Sequence, residues 1–586
     1  MRTSGVIRSG ALVCALGSSA LVLAGCYTGL SGGGGASGGA SAGEGGSAAS
    51  DGSGGSDGDG GSDDGGVPSC EAPSIGPTAL RRMTASQYNH TIRDLLGYDG
   101  EAAADFSADE RVGPFTSNFA APVSDLQVEQ YMDAAEDLAV WAVGDLGALL
   151  PCDPAVTGES ECAAQLIAEL GPRAYRRPLT QAELDALQGV YEDGRAQGDF
   201  ANGIRVAVQG MLQSPWFLYH VEFGQDDGVS GELVALTDHE LASRLSYFLW
   251  DTMPDDELFA AADAGDLTSD DGIVAQVDRM LADDKAREGV AHFHLQWLGV
   301  DEVDQVEKSP EYFPSFDSAL ALAMREETAA FANHVVLDDD GMLGTLLGAS
   351  YTLSDDPGLL ALYGATLPAD HVAGDPIPLP GDQRAGLLTQ ASVLAKHAHA
   401  NQTSPVHRGK LVRENLLCQP LQPPPPDVDN VPPSPDPDAT TRERFEQHRA
   451  DPACSGCHNL IDPIGFSFEH YDGIGAWRDM EAGAPVDASG ELIATDVDRE
   501  IDGALDLTAA LGESEIVQSC VARQWFRFAL GRNETLDDTC STDQLDASFA
   551  GSGGDIREVI RTLALSDAFR NRRPEAAASE IEEDVR

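Results

Sequence analysis

Three Thr-x-x-Gln/Glu tetrads, Thr84…Gln87, Thr180…Glu183 and Thr237…Glu240, each stand directly before apolar residues spaced three and four apart. In that arrangement the hydroxyl and the side chain three residues on satisfy the first free N–H groups of a helix, so each tetrad marks a helix start. The stripes that follow are Tyr88, Ile92, Leu95 and Leu96; then Leu184, Leu187 and Tyr191; then Leu241, Leu245, Phe248 and Leu249. Their period is that of a helix with one buried face. Further helices are predicted over 278–298 and 318–336. Alternation of period two is rare, which predicts a mainly α, multi-domain protein with at most small β-hairpins, one of them around 486–490.

The first 69 residues cannot join such a core. Arg2 and Arg8 precede short apolar runs (Ala11–Leu16, Leu21–Leu23), too interrupted to span a bilayer, and read as a secretion signal over 1–25. Leu23-Ala24-Gly25-Cys26 resembles a bacterial lipobox, which implies cleavage before Cys26 and lipid attachment to its thiol; Tyr27 in the next position points to the outer membrane. From residue 31 to 69 the chain is nearly all Gly, Ser, Ala and Asp, so 26–69 is predicted to be a lipid anchor with a disordered tether.

The chain carries 97 Asp+Glu against 36 Lys+Arg, a net charge of −61. Nucleic-acid binding, which needs a basic stripe, is excluded, and the only membrane contact expected is the lipid anchor. The signal and tether hold only two of the bases and six of the acids, so the folded body is the polyanion. A partner is therefore expected to dock through a basic patch.

Within that body the expected domains are 70–140, 150–225, 230–365 and 497–573, all helical, and 380–480, the domain with the C-x-x-C-H. A Pro/Asp strip from Gln419 to Asp438 runs through this last one. Two distant segments match: Ile204, Arg205, Ser214 and Phe217 have the same spacing as Ile556, Arg557, Ser566 and Phe569. Each lies downstream of a Cys (Cys162, Cys520) and of an Arg-containing segment (175–179, 530–532), which points to an internal duplication.

The most specific chemistry is Cys454-Ser455-Gly456-Cys457-His458. Covalent c-type haem attachment uses two thiols one helical turn apart and the next residue's imidazole as axial ligand to the iron. One haem c per chain is the reading, with His458 proximal and Asp462 through Glu469 supplying a turn and apolar cover. For the distal position Met480 and His470 are candidates, and His397, His399 and His407 could return in space; Trp477 and Arg478 could meet the macrocycle. A Cys454–Cys457 disulfide, structural or redox, and a zinc site are the competing readings. Cys70, Cys152, Cys162, Cys418, Cys520 and Cys540 suit an oxidising compartment, and short separation favours Cys152–Cys162 and Cys520–Cys540, leaving Cys70–Cys418. No G-x-S-x-G, H-E-x-x-H or Walker loop is present, and the pairs His292/His294 and His397/His399 have i,i+2 spacing, which suits no shared metal on a helix.

The series Leu80–Gly97, Tyr175–Leu179, Ser214–Phe217, Arg244–Asp255, Arg384–Gln390, Thr403–Gly409, Pro423–Pro426, the C-x-x-C-H with Asp462–Phe466, and Leu530–Arg532 with Ser566–Phe569 resembles the planctomycete-type proteins with domain of unknown function 1592 and companions 1587, 1595, 1588 and 1585. The resemblance implies exported, cytochrome-like proteins of undetermined activity. The function expected is therefore electron transfer or haem-based redox chemistry with a redox protein or small-molecule electron donor or acceptor. The alternatives are a surface scaffold or polymer-binding protein with a Cys454–Cys457 disulfide, and a haem peroxidase or oxygenase; no catalytic residue is assigned.

Overall fold

All three predicted helix starts form as capping boxes, the threonine side chain taking the N3 backbone N–H and the N3 side chain taking the threonine N–H. The computed structural model describes residues 74–119, 122–224, 233–422, 432–450 and 454–573. The signal, Cys26, the tether and Cys70 lie outside the described residues, as do Pro423–Pro426.

In chain order, the elements used below are β1 (Arg81–Arg82), α1 (Ala85–Leu96), α2 (Asp125–Ala142), α3 (Glu159–Tyr175), α4 (Gln181–Gln197), α5 (Phe200–Leu212), β2 (Tyr219–His220), β3 (Val234–Ala235), α6 (Asp238–Trp250), α7 (Asp270–Leu281) and α8 (Ala286–Trp297). They continue with α9 (Ser318–Asn333), α10 (Pro405–Leu411), α11 (Ser455–Phe466), α12 (Glu515–Leu530), α13 (Thr539–Gly551), α14 (Ile556–Leu565) and β4 (Asn571–Arg572). The fold is mainly helical, and every sheet among the described residues is a two-stranded antiparallel pair. Two hairpins occupy 480–485 and 489–502, next to the one expected. The predicted helix over 278–298 is broken: α7 ends at Leu281, Asp283 accepts a hydrogen bond from the Lys285 N–H in a tight turn, and α8 restarts at Ala286.

The duplication is larger than the sequence match. In the first copy β1 and α1 pair with α3, α4, α5 and β2; in the second, β3 and α6 pair with α12, α13, α14 and β4. Arg82 faces Tyr219 across the first strand pair as Ala235 faces Asn571 across the second. After α3, Arg177 makes a two-pronged bond to Glu183 (3.0 and 2.6 Å), whose carboxylate also takes the Thr180 N–H. After α12, Arg532 does the same to Asp538 (2.8 and 2.7 Å), which takes the Thr535 N–H.

Each copy also gathers three carbonyls around one buried guanidinium. Arg176 donates to the carbonyls of Trp216, Phe217 and Tyr219, and Arg244 to those of Ala568, Phe569 and Asn571, at matching positions after Ser214 and Ser566. The arginines differ in origin, Arg176 coming from the end of α3 and Arg244 from α6, so the nest is kept while its filler changes. Everything from α8 through the 489–502 hairpin is then an insertion within the second copy. The insertion shares that copy's core: Ile464 of α11, with Phe468 and Tyr471 just beyond it, belongs to the same buried cluster as Phe248, Trp525 and Phe569.

Cys152–Cys162 form a disulfide, but Cys520 is bonded to Cys418, correcting both other expected pairs; Cys540 is disulfide-bonded as well. Cys520 lies ten residues before the end of α12, and Cys540 opens α13 just after the reversal. Ten residues of helix rise span about 15 Å, far beyond the roughly 7 Å limit for bridged Cα atoms. Closeness in sequence was the wrong guide because a straight helix intervenes.

Beneath the contact between α9 and the segment leading to α10, Glu327 is buried and accepts hydrogen bonds from Thr352 (2.7 Å) and Tyr363 (2.5 Å). Burial pushes its carboxyl up to about 7, against the opposing effect of those bonds. A carboxyl raised in the folded state stabilises it relatively at low pH, and this contribution is lost as pH rises from the unfolded value near 4.5 through 7. Glu327→Gln should therefore be neutral near pH 4.5 and more stable than the parent by about 2–4 kcal/mol above pH 7. Urea denaturation of both proteins at a series of pH values checks this; parallel profiles would contradict it.

Candidate functional site

The segment carrying the two thiols begins a helix. Cys454 occupies the N-cap of α11, with Cys457 and His458 in its first turn. Asp462, one turn further on and fully buried, places its carboxylate 3.0 and 3.1 Å from His458 Nδ1. An ionised carboxylate only accepts, so the bond fixes the imidazole with its proton on Nδ1 and its lone pair on Nε2. Asp462-Pro463 is helix interior, and the turn expected within 462–469 comes after Phe466, at 467–470. The signal that could have revealed its partner is the His458–Asp462 i,i+4 spacing.

Helix α10 packs across α11 at very short range. A Cβ on Gly409 would stand 2.1 Å from the Ile461 carbonyl oxygen, and one on Gly465 would stand 1.9 Å from that of Pro405. Either helix could carry no larger residue there. The chain beyond α11 is held by buried arginines. Arg408, 1% exposed, donates to the carbonyls of Leu394, Phe468, Tyr471 and Asp472 at 2.7–3.1 Å. Arg384 donates to the carbonyls of Thr389 and Gly475 and lies over the rings of Tyr363 and Tyr471. Arg413 ties the Leu460 carbonyl of α11 to the Ile493 carbonyl of the hairpin. Glu469, 2% exposed, accepts from Thr403 and Arg478; burial raises its carboxyl above the usual range.

These contacts settle where the other candidates stand. His470 stacks on Trp477 (ring centroids 4.5 Å apart) and its Nδ1 lies 2.9 Å from the Arg478 carbonyl. It sits beyond the far end of α11, about 12 Å of helix rise from His458. Met480 is 55% exposed on the first hairpin. Arg478 is engaged by Glu469 and Glu481, and the Trp477 indole by Asp479. His397 is bonded to the Leu298 carbonyl, while His399 and His407 face one another 5.0 Å apart. None of these is brought against His458 by a described contact.

The donor set fits a covalent haem. Cys454 and Cys457 are both free thiols, half-buried, and the imidazole between them and Asp462 is oriented by a carboxylate behind it. Among the described residues no group of three or more His, Cys, Asp or Glu is placed to hold a bare metal ion, and no helix is long and apolar enough to cross a membrane.

A second polar cluster escaped the sequence reading. Asp251, buried at the left-handed C-cap of α6, accepts from Ser86 (2.5 Å), lies 3.1 Å from His90 Nδ1 and 3.8 Å from His292 Nδ1, and so ties α1, α6 and α8 together. Hydrogen bonding and attraction from these groups hold its carboxyl below the usual range despite burial.

Five family models match the chain, each described as a protein of unknown function: DUF1587 over 81–144, DUF1595 over 162–222, DUF1592 over 236–365, DUF1588 over 384–481 and DUF1585 over 498–569. The DUF1588 model, which covers α10 and α11, carries the cytochrome-type name PSCyt3. No curated protein and no solved structure matches. The five matches follow one another along nearly all of residues 81–569, and the chain carries the DUF1587, DUF1595, DUF1592, DUF1588 and DUF1585 domains in that order.

Proposed function

We propose that this chain is an exported, lipid-anchored c-type cytochrome-like protein that works in electron transfer or related haem redox chemistry. The observation that carries this reading is the pair of free thiols one turn apart at the start of α11, with the following histidine fixed by a buried carboxylate. Cys454 and Cys457 would hold the haem by thioether bonds, and His458 Nε2 would face its iron. The bound haem supplies one-electron exchange. Asp462 keeps the imidazole in one tautomer and orientation, and the tight α10–α11 contact with the Arg408 and Arg384 anchors keeps the helix from shifting. The acidic surface favours a redox partner with a basic docking patch, and the lipobox-like Leu23-Ala24-Gly25-Cys26 supports a location at the cell envelope, on the outer membrane or cell surface.

The test is expression of the full chain with a cytochrome c maturation system, followed by haem staining after denaturation and a pyridine haemochrome spectrum. One covalent haem per chain is expected, lost in Cys454→Ser, Cys457→Ser. Intact mass without haem, together with a mapped Cys454–Cys457 disulfide, would overturn the reading in favour of a surface scaffold.

A further inference from the structure

The two copies of the duplicated unit differ in one respect that bears on a partner. Aligned on Thr84 with Thr237 and on Arg177 with Arg532, Leu95, Leu166, Leu170 and Arg173 of the first copy correspond to Phe248, Val521, Trp525 and Phe528 of the second. In the second copy these residues form a trough filled by α8. Phe293 stacks on Trp525 with ring centroids 3.7 Å apart and meets Phe528 edge-on, while Val290 and Trp297, on the same face of α8, are buried with it. In the first copy α2 is followed by short helical segments, Val143–Asp145, Pro154–Thr157 and the one-turn helix Leu146–Leu149, where the second copy is filled by the inserted α8. The trough therefore stays open, as a groove of about 460 Å³ between α1, the end of α2, that turn and α3.

Other observations point to an occupant. Trp141 at the rim is 46% exposed, a large apolar side chain left open to solvent. Arg173 Nε is buried in the groove wall without a hydrogen-bond partner. Asp145 and Glu169 line the groove and are exposed, so its rim is acidic.

We propose that this groove docks one amphipathic helix of a partner protein, with an aromatic residue entering between Leu95 and Leu170 as Phe293 does in the other copy, and with lysine or arginine on its flanks facing Asp145 and Glu169. The recognition is that of an apolar helix face laid in a groove, with charge setting orientation.

The probe is a fluorescein-labelled synthetic peptide of the sequence Ala286–Trp297 with lysines added at both ends, titrated into the full chain by fluorescence anisotropy. Saturable binding on the order of 10 μM is expected. It should weaken at least about tenfold in Trp141→Ser, in Ala148→Glu and when the peptide's Phe293 is replaced by serine. Trp141 and Ala148 are exposed, so circular dichroism and thermal melting should match the parent. No saturable binding, or binding indifferent to all three changes, would overturn the proposal. So would self-association of the protein that Trp141→Ser abolishes, which would assign the groove to a second copy.

Discussion

Arg408→Leu is expected to remove most of the stability of the folded body. The substitution strips donors from four carbonyls around the exit of α11 and leaves the buried Glu469 without one of the two guanidinium groups that offset its burial. Each orphaned acceptor costs about 1 kcal/mol or more, and breaking a buried charge pair costs about 3–5 kcal/mol, so a loss of 4 kcal/mol or more is expected from a total of roughly 5–15. Arg408→Lys should fall between, since an ammonium group has three donors and lacks the planar fork. Arg287→Ala, which breaks a pair with Asp338 in which both side chains are about two-fifths exposed, should cost under about 1 kcal/mol. Urea unfolding followed by circular dichroism ranks the three; an Arg408→Leu midpoint close to that of Arg287→Ala would refute the anchoring role.

What was legible in the sequence was what is decided locally. A capping box is settled within four residues, so Thr84, Thr180 and Thr237 announced their helices. The two thiols and the imidazole lie within five residues of one another, so their motif needed no distant information. The duplication showed through Ile, Arg, Ser and Phe at matched spacing because a helix ending in a serine cap fixes those offsets. Its full extent stayed hidden because β1 with α1 and β3 with α6 are far from their partners in the chain, and because one copy fills its carbonyl nest with Arg176 and the other with Arg244. Cys418–Cys520 was missed for the same reason: the pairing depends on where the insertion returns to α12, a tertiary property. The role of Asp462 against His458 was not read, and where within 462–469 the helix gives way to the turn was not legible either, because packing against α10 through Gly409 and Gly465 keeps the segment helical to Phe466.

The haem reading makes Asp462 the residue whose charge should set the redox behaviour. With haem bound, its carboxylate, fully buried against His458 Nδ1, would make the imidazole a stronger donor and would favour the more positive oxidised iron. Asp462→Asn can still accept the Nδ1 hydrogen through its carbonyl oxygen, so the tautomer and ring orientation survive while the negative charge is lost. The midpoint potential of the haem-loaded protein should then rise. A tenfold change in the preference for oxidised over reduced iron corresponds to about 60 mV for one electron, which sets the expected scale. Asp462→Ala should raise the potential as well, and in addition broaden the spectroscopic signature of the proximal ligand, because nothing then fixes the ring. Potentiometric titration of the three proteins, with resonance Raman detection of the iron–histidine stretch, separates charge from orientation. An Asp462→Asn protein with an unchanged potential would show that the carboxylate acts only as a structural cap within α11.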